Sequence, residues 1–243
     1  MEIATYATET EVEATHWWFI GRRRLFAREI DKTGLPRSSR VLDVETSTRA
    51  NLRLLRDLGF HTVDGLDFSN EAIRYCREKG LGLVRYGDVC SMPFADESFD
   101  LLLATDIIEH VDDDAKALGE IARVLRPGGK ALITVPAFPI IWGLQDRIAQ
   151  HRRRYRMCQL VNRVACAGFA IDVCYYFNFL LFLPIWMGRR LIDIFRPEIQ
   201  NEAQINSPLI NRVMLAIFST DIAMAPILRV PFGVSILLVA TKK

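Results

Sequence analysis

Between Val41 and Leu58 there is no glycine, although an apolar stretch with strand character runs there into a leucine-rich helical one. A turn that lets a ligand approach the backbone usually needs glycine, which has no Cβ and accepts positive φ. Other absences narrow the reading further. None of the five cysteines forms a Cys-x-x-Cys pair, so no disulfide framework or zinc site follows from their spacing, and a reducing compartment is expected. A formal charge of +2 gives no whole-protein argument for nucleic acid, and no module that reads nucleic acid is present. Residues Met1 to Glu13 lack the basic and apolar regions of a secretory leader. The apolar run Tyr175 to Met187, interrupted by Asn178 and Pro184, falls short of the roughly 20 residues that span a bilayer. There is no internal repeat and no low-complexity tract.

What is present alternates. Strand patterns at 41–44, 63–66, 83–86, 101–104 and 131–135 are separated by helical patterns at 51–58, 70–79 and 115–124. Ser69 is placed to cap the helix at Asn70, and Pro127-Gly128-Gly129 to turn the chain before the fifth strand. Such alternation predicts a doubly wound α/β sheet. Phe169–Tyr176 and Val234–Thr241 complete seven strands, the last antiparallel to the sixth. A helix over Glu11–Ile30 precedes the sheet. An apolar insertion, 177–233, lies before the last strand and carries Arg189-Arg190, a polar patch at Pro197–Gln204 and an amphipathic stretch at Leu209–Leu228. One domain is expected over 1–243: an extension (1–39), a core (40–176), the insertion and the final strand (234–243).

The first strand ends in Asp43, and the second ends in Asp67, twenty-four positions on. This is the spacing of a nucleotide-binding β-α-β unit whose second acidic residue takes ribose hydroxyls. Ordered motifs follow: Gly65-Leu66-Asp67-Phe68-Ser69, Gly87-Asp88-Val89, Phe94 to Leu103, Asp106 to Val111, and Val124 to Pro136. From about Arg40 to Pro136 the series resembles class I S-adenosylmethionine-dependent methyltransferases of the type 11 branch, which includes ubiquinone and menaquinone biosynthesis enzymes. The resemblance implies a Rossmann-like seven-stranded sheet with S-adenosylmethionine as cofactor. It assigns the methionine end to Asp43, the ribose to Asp67 and the adenine to Asp88, with Phe68, Val89 and Asp106 beside them.

In that family the first loop carries three glycines, and here those positions hold Glu45, Ser47 and Arg49. Glu45 and Ser47 would therefore line the cofactor. Glu45 adds negative charge where the cofactor carboxylate would lie. Arg49 would either pair with Glu45 and close the crevice, or grip that carboxylate. Weakened cofactor binding is the expectation; a loop that shifts slightly and still works is the alternative.

Glu109 and His110 stand where the family places groups facing the acceptor, and His110 is a candidate base with a pKa near the operating pH. The family repeats Glu-His-Val whatever the substrate, so a structural role is the other reading. Two basic clusters remain, Arg22-Arg23-Arg24 beside Trp17-Trp18, and Arg152-Arg153-Arg154 after His151. They suit an anionic substrate or lipid head group, or else a solvated helix face. Two functions are expected to compete. One is methyl transfer to an apolar or lipid-linked small molecule by a cytoplasmic protein peripheral to the inner membrane face. The other is a catalytically silent relative kept as a subunit of a membrane-associated complex.

Overall fold

The structure, a computed structural model, describes residues 15–46, 50–78, 83–195 and 207–243. Ser47, Arg49, Met1 to Glu13 and the patch Pro197–Gln204 lie outside them. In chain order the elements are α1 (Trp17–Lys32), β1 (Arg40–Val44), α2 (Ala50–Asp57), β2 (Thr62–Asp67), α3 (Asn70–Glu78), β3 (Leu83–Tyr86), β4 (Phe99–Thr105), α4 (Asp114–Val124) and β5 (Leu125–Pro136). Then come α5 (Leu144–Ile148), α6 (Met157–Cys166), β6 (Phe169–Phe177), α7 (Phe182–Phe195), α8 (Pro208–Leu228) and β7 (Ser235–Lys242).

The seven strands form one sheet in the order β3-β2-β1-β4-β5-β7-β6. The first five are parallel, and β7 runs antiparallel between β5 and β6. Successive strand residues point to opposite faces, and this alternation builds two cores. Leu42, Val44, Leu102 and Ile133 pack with Leu118 and Ile121 of α4 and Leu160 of α6 on one face. Val41, Leu101, Leu103 and Leu132 pack with α1, α2 and α8 on the other. The predicted turn at Pro127-Gly128-Gly129 is a bulge: Leu125 pairs with Phe99 and Lys130 with Leu101, and Gly128 takes φ +79°.

The insertion becomes two helices that differ in their packing. On α8, Asn211, Phe218, Asp221, Ile222 and Ala225 are buried. Trp18 of α1 stacks on Phe218 with ring centroids 5.3 Å apart. Gly21 is what allows this approach, since a Cβ there would lie 2.1 Å from the Phe218 ring. Asp221 accepts from the backbone N–H of Asn178 at 2.6 Å and of Leu180 at 2.8 Å, tying α8 to the chain as it leaves β6. With 21 residues, α8 is by length and composition long and apolar enough to cross a membrane. As folded, however, its inner face serves as core. The outer faces are different. Of the seventeen large apolar side chains standing exposed among the described residues, thirteen lie between Leu180 and Phe232.

Candidate functional site

Register places Asp43 opposite Gly65 and Asp67 opposite Tyr86, so the acidic positions collect at the carboxyl-terminal edge of the parallel strands. That edge, where the strand order reverses between β1 and β4, is where ligands bind in open α/β sheets. Asp43 is fully buried. Asn51 of α2 donates to its Oδ1 at 3.0 Å and also to Thr105 Oγ1, while Asp43 Oδ2 has no partner. Burial pushes the Asp43 carboxyl up to about 8; the Asn51 hydrogen bond opposes this and nearby Asp67 adds to it. Asp67 accepts from Ser69 N–H at 2.7 Å and from Thr46 Oγ1 at 3.3 Å.

The loop itself retains a glycine-like conformation without the glycine. Glu45 adopts φ +60°, in the left-handed region that favours glycine. Its N–H donates to Leu66 O at 2.8 Å, and Thr46 follows it onto β2. The approach is close because Gly65 lacks a Cβ, which would meet Thr46 Cγ2 at 2.6 Å.

Beyond Asp67, Phe68 is exposed and meets Tyr86 with ring centroids 5.5 Å apart. Asp88 is exposed and accepts from Cys90 N–H, with Val89 buried beside it. Asp106, at φ +56°, accepts from Thr134 Oγ1 at 3.0 Å and pairs with Arg22 at 2.5 Å.

Glu109 is buried, and neither of its carboxylate oxygens has a hydrogen-bond partner. Burial, followed by the charges of Asp106 and Glu45, holds it well above the carboxylate range against the pull of Arg22. His110 lies beside His151 with ring centroids 4.8 Å apart. Burial and then His151 lower it to about 4, which corrects the expectation of a base poised near neutral pH. One ligand atom each from Glu109, His110 and His151 lie within 4.8 Å of one another.

His151 is oriented from behind. Asp146 Oδ1 lies 2.8 Å from its Nδ1 and 2.7 Å from Arg154 Nε, while Asp146 Oδ2 accepts from Arg154 Nη2 and Gly143 N–H. Arg189 of α7 reaches the same carboxylate at 3.4 Å and donates to Ile141 O at 2.7 Å. Burial alone would raise Asp146, but His151 and Arg154 overrule it and hold the carboxyl well below its usual range.

The basic clusters are therefore not uniform. Arg154 is buried on Asp146 and Ala137 O, which removes it from any lipid contact and corrects the expectation for it. Arg153 donates to Val111 O and Asp112 O and pairs with Asp114 at 3.2 Å, and it too serves the fold. Arg22 also turns inward, onto Asp106 and over the Phe26 ring at 5.0 Å. Arg23 is half-buried. Arg152 is exposed beside Asp112 and remains open to an outside partner. In the sequence His151 stands out only as part of the basic run, and Asp146 belongs to no motif. Neither lies near Glu109 along the chain, so no local spacing signalled the cluster.

Comparison with known proteins agrees with this geometry. Residues 42–133 match the family model described as "Methyltransferase domain" (Methyltransf_11). The chain is 32% identical over 122 residues to a demethylmenaquinone methyltransferase of Renibacterium salmoninarum, covering 49% of this chain and 51% of that protein. It is 33% identical over 141 residues to the ubiquinone/menaquinone biosynthesis C-methyltransferase UbiE of Bdellovibrio bacteriovorus, covering 53% and 60%. The chain thus spans about half the length of the curated relatives it matches. Among solved structures, a putative sarcosine dimethylglycine methyltransferase from Galdieria sulphuraria superposes with a TM-score of 0.63 at 20% identity, over 93% of this chain and 86% of that one. A Thermotoga maritima methyltransferase, described as a possible histamine N-methyltransferase, gives 0.58 at 19%, over 93% of each. These likenesses establish the α/β Rossmann-like methyltransferase fold.

Proposed function

We propose, from the premise that residues 42–133 form a class I methyltransferase domain of the type 11 family, that the chain methylates an apolar or lipid-linked small molecule at the inner face of the cytoplasmic membrane. The observation that carries the acceptor class is the outer face of α7 and α8. Leu183, Met187, Leu191, Ile194 and Phe195 stand exposed on α7, and Leu209, Val213, Ile227 and Leu228 on α8. Helices that leave this many large apolar side chains exposed are normally covered by a partner or a membrane. Arg189 links α7 to Asp146, and Asp146 holds His151 beside Glu109, so α7 is tied to the loop that carries His151. The quinone-pathway activities named for the relatives support the same acceptor class.

The residues at the strand ends fit the cofactor in part. The partnerless, buried Oδ2 of Asp43 suits a donor on the methionine end, Asp67 the ribose, and Asp88 with Val89 the adenine, with Phe68 as an aromatic face. S-adenosylmethionine, when bound, supplies an electrophilic methyl group. The chain's own contribution is positioning: Glu109 and His110 line the acceptor side, and in-line transfer needs alignment more than a strong base.

A second reading, a silent methyltransferase-fold subunit of a membrane-associated complex, is favoured by one observation. Glu45 holds a glycine conformation and puts negative charge beside Glu109.

Calorimetric titration with S-adenosylhomocysteine separates the two readings. The unmodified chain is expected to bind at least tenfold more weakly than Glu45→Gly/Ser47→Gly/Arg49→Gly. Equal, tight binding by both would remove the loop argument, and no binding by either would favour the silent subunit. Vesicle flotation tests the surface. The parent should float with anionic vesicles, and a Leu183→Ser/Met187→Ser/Leu191→Ser/Ile194→Ser variant should not. A parent that ignores vesicles ends the membrane claim.

A further inference from the structure

We infer that Glu109, His110 and His151 form a binding site for one divalent transition cation of the zinc type. A carboxyl group buried without hydrogen bonds is costly to ionise unless it pairs with a cation or binds a metal. Glu109 is such a group, with both oxygens buried and partnerless, and it faces two imidazoles within 4.8 Å.

The second support lies behind His151. A His151 Nδ1–H donated to the Asp146 carboxylate, 2.8 Å away, leaves Nε2 as the ring atom available to a cation. Metal-binding histidines are typically oriented in this way, with a carboxylate fixing the tautomer. Asp146 is itself held on both oxygens, since Arg154 donates to each and Gly143 N–H donates to Oδ2.

The loops are also joined before any metal arrives. Arg152 N–H donates to Glu109 O at 2.8 Å, and His110 N–H donates to Ile107 O at 3.0 Å. The first bond ties together two segments that lie far apart in the chain, and the second closes the turn that carries Glu109 and His110.

The donor set decides the cation. Two nitrogens and one carboxylate are a zinc-type set, whereas calcium and magnesium take oxygen ligands. Bonds of about 2.1 Å in a tetrahedron put donor atoms about 3.4 Å apart, so closing the site asks for side-chain shifts of about 1 Å. Three protein ligands leave a fourth position for water or an acceptor oxygen. His110 and His151 are only half-buried, which gives the cation an entry path. The inference stands apart from the cofactor argument and holds for an active enzyme or a silent subunit alike.

The test uses the full chain, stripped with chelator and titrated with zinc sulfate by calorimetry and with cobalt(II) chloride by visible absorption. One equivalent is expected, with the intense visible bands of tetrahedral cobalt. Glu109→Gln and His151→Gln should each weaken zinc binding at least tenfold. Zinc should raise the melting temperature of the parent but not of His151→Gln. Exposed Cys158 and Cys166 are the competing ligands, so a Cys158→Ser/Cys166→Ser variant serves as control and should bind as the parent does. No uptake by the parent, or uptake lost only in the cysteine variant, overturns the site. Should Glu109→Gln fail to fold, His110→Gln and His151→Gln decide the matter, because their side chains reach solvent.

Discussion

Asp146 and Arg154 form a buried two-point ion pair, at 2.7 and 3.0 Å, and the same carboxylate holds His151 at 2.8 Å. One side chain thus fixes the loop after α5, anchors Arg189 of α7 and orients an imidazole that faces Glu109.

Asp146→Asn should cost about 3 kcal/mol or more in urea unfolding, because it leaves a buried guanidinium without its charge partner. The pH dependence has a definite sign. The folded-state carboxyl is depressed by His151 and Arg154, so its contribution is present above the unfolded value of about 4 and is lost as pH falls toward the lower folded value. The Asn variant should lack that acid limb.

Asp43 has the opposite sign. Its folded value is raised to about 8, so its stabilising effect is complete below about pH 4 and is lost as pH rises through about 8. Relative to Asp43→Asn, the parent should lose stability from about pH 4 to 8, and the gap should then stay constant. Parallel slopes for the two proteins across that range would show that Asp43 is ionised when buried.

Glu45→Gly should leave the protein as stable as before or more stable by about 1 kcal/mol. A non-glycine residue at positive φ is strained, and relief of that strain opposes the extra freedom glycine gives the unfolded chain. A loss above about 1 kcal/mol in thermal unfolding would mean that the Glu45 side chain contributes more than its backbone costs.

Gly21→Ala should destabilise by about 1–3 kcal/mol, since its methyl would enter the Phe218 ring. Phe218→Ala should cost about 3–5 kcal/mol by leaving a cavity between α1 and α8. Combining Gly21→Ala with Phe218→Ala should cost less than the sum, because the smaller side chain makes room for the added methyl. Strict additivity would show that α1 and α8 do not meet there.

Much of the scaffold was legible in the sequence by itself. Hydrophobic period and turn residues act locally, so β1 to β5, the helices between them and the acidic strand ends at Asp43 and Asp67 follow from short stretches of chain. The same holds for Ser69, whose Oγ accepts from Ala72 N–H at the start of α3. Charge is another matter, because the role of an arginine depends on what folds against it. Arg152 and Arg154 are two positions apart, yet one is exposed and the other is buried on Asp146. Composition showed the insertion to be apolar, and only packing against α1 decided which face of α8 became core. Tertiary structure alone brought His151 to Glu109 and His110, since the loops carrying them meet through the backbone bond from Arg152 N–H to Glu109 O. Local periodicity is written in neighbouring residues, whereas a site assembled from separate loops exists only once the sheet has placed their ends together.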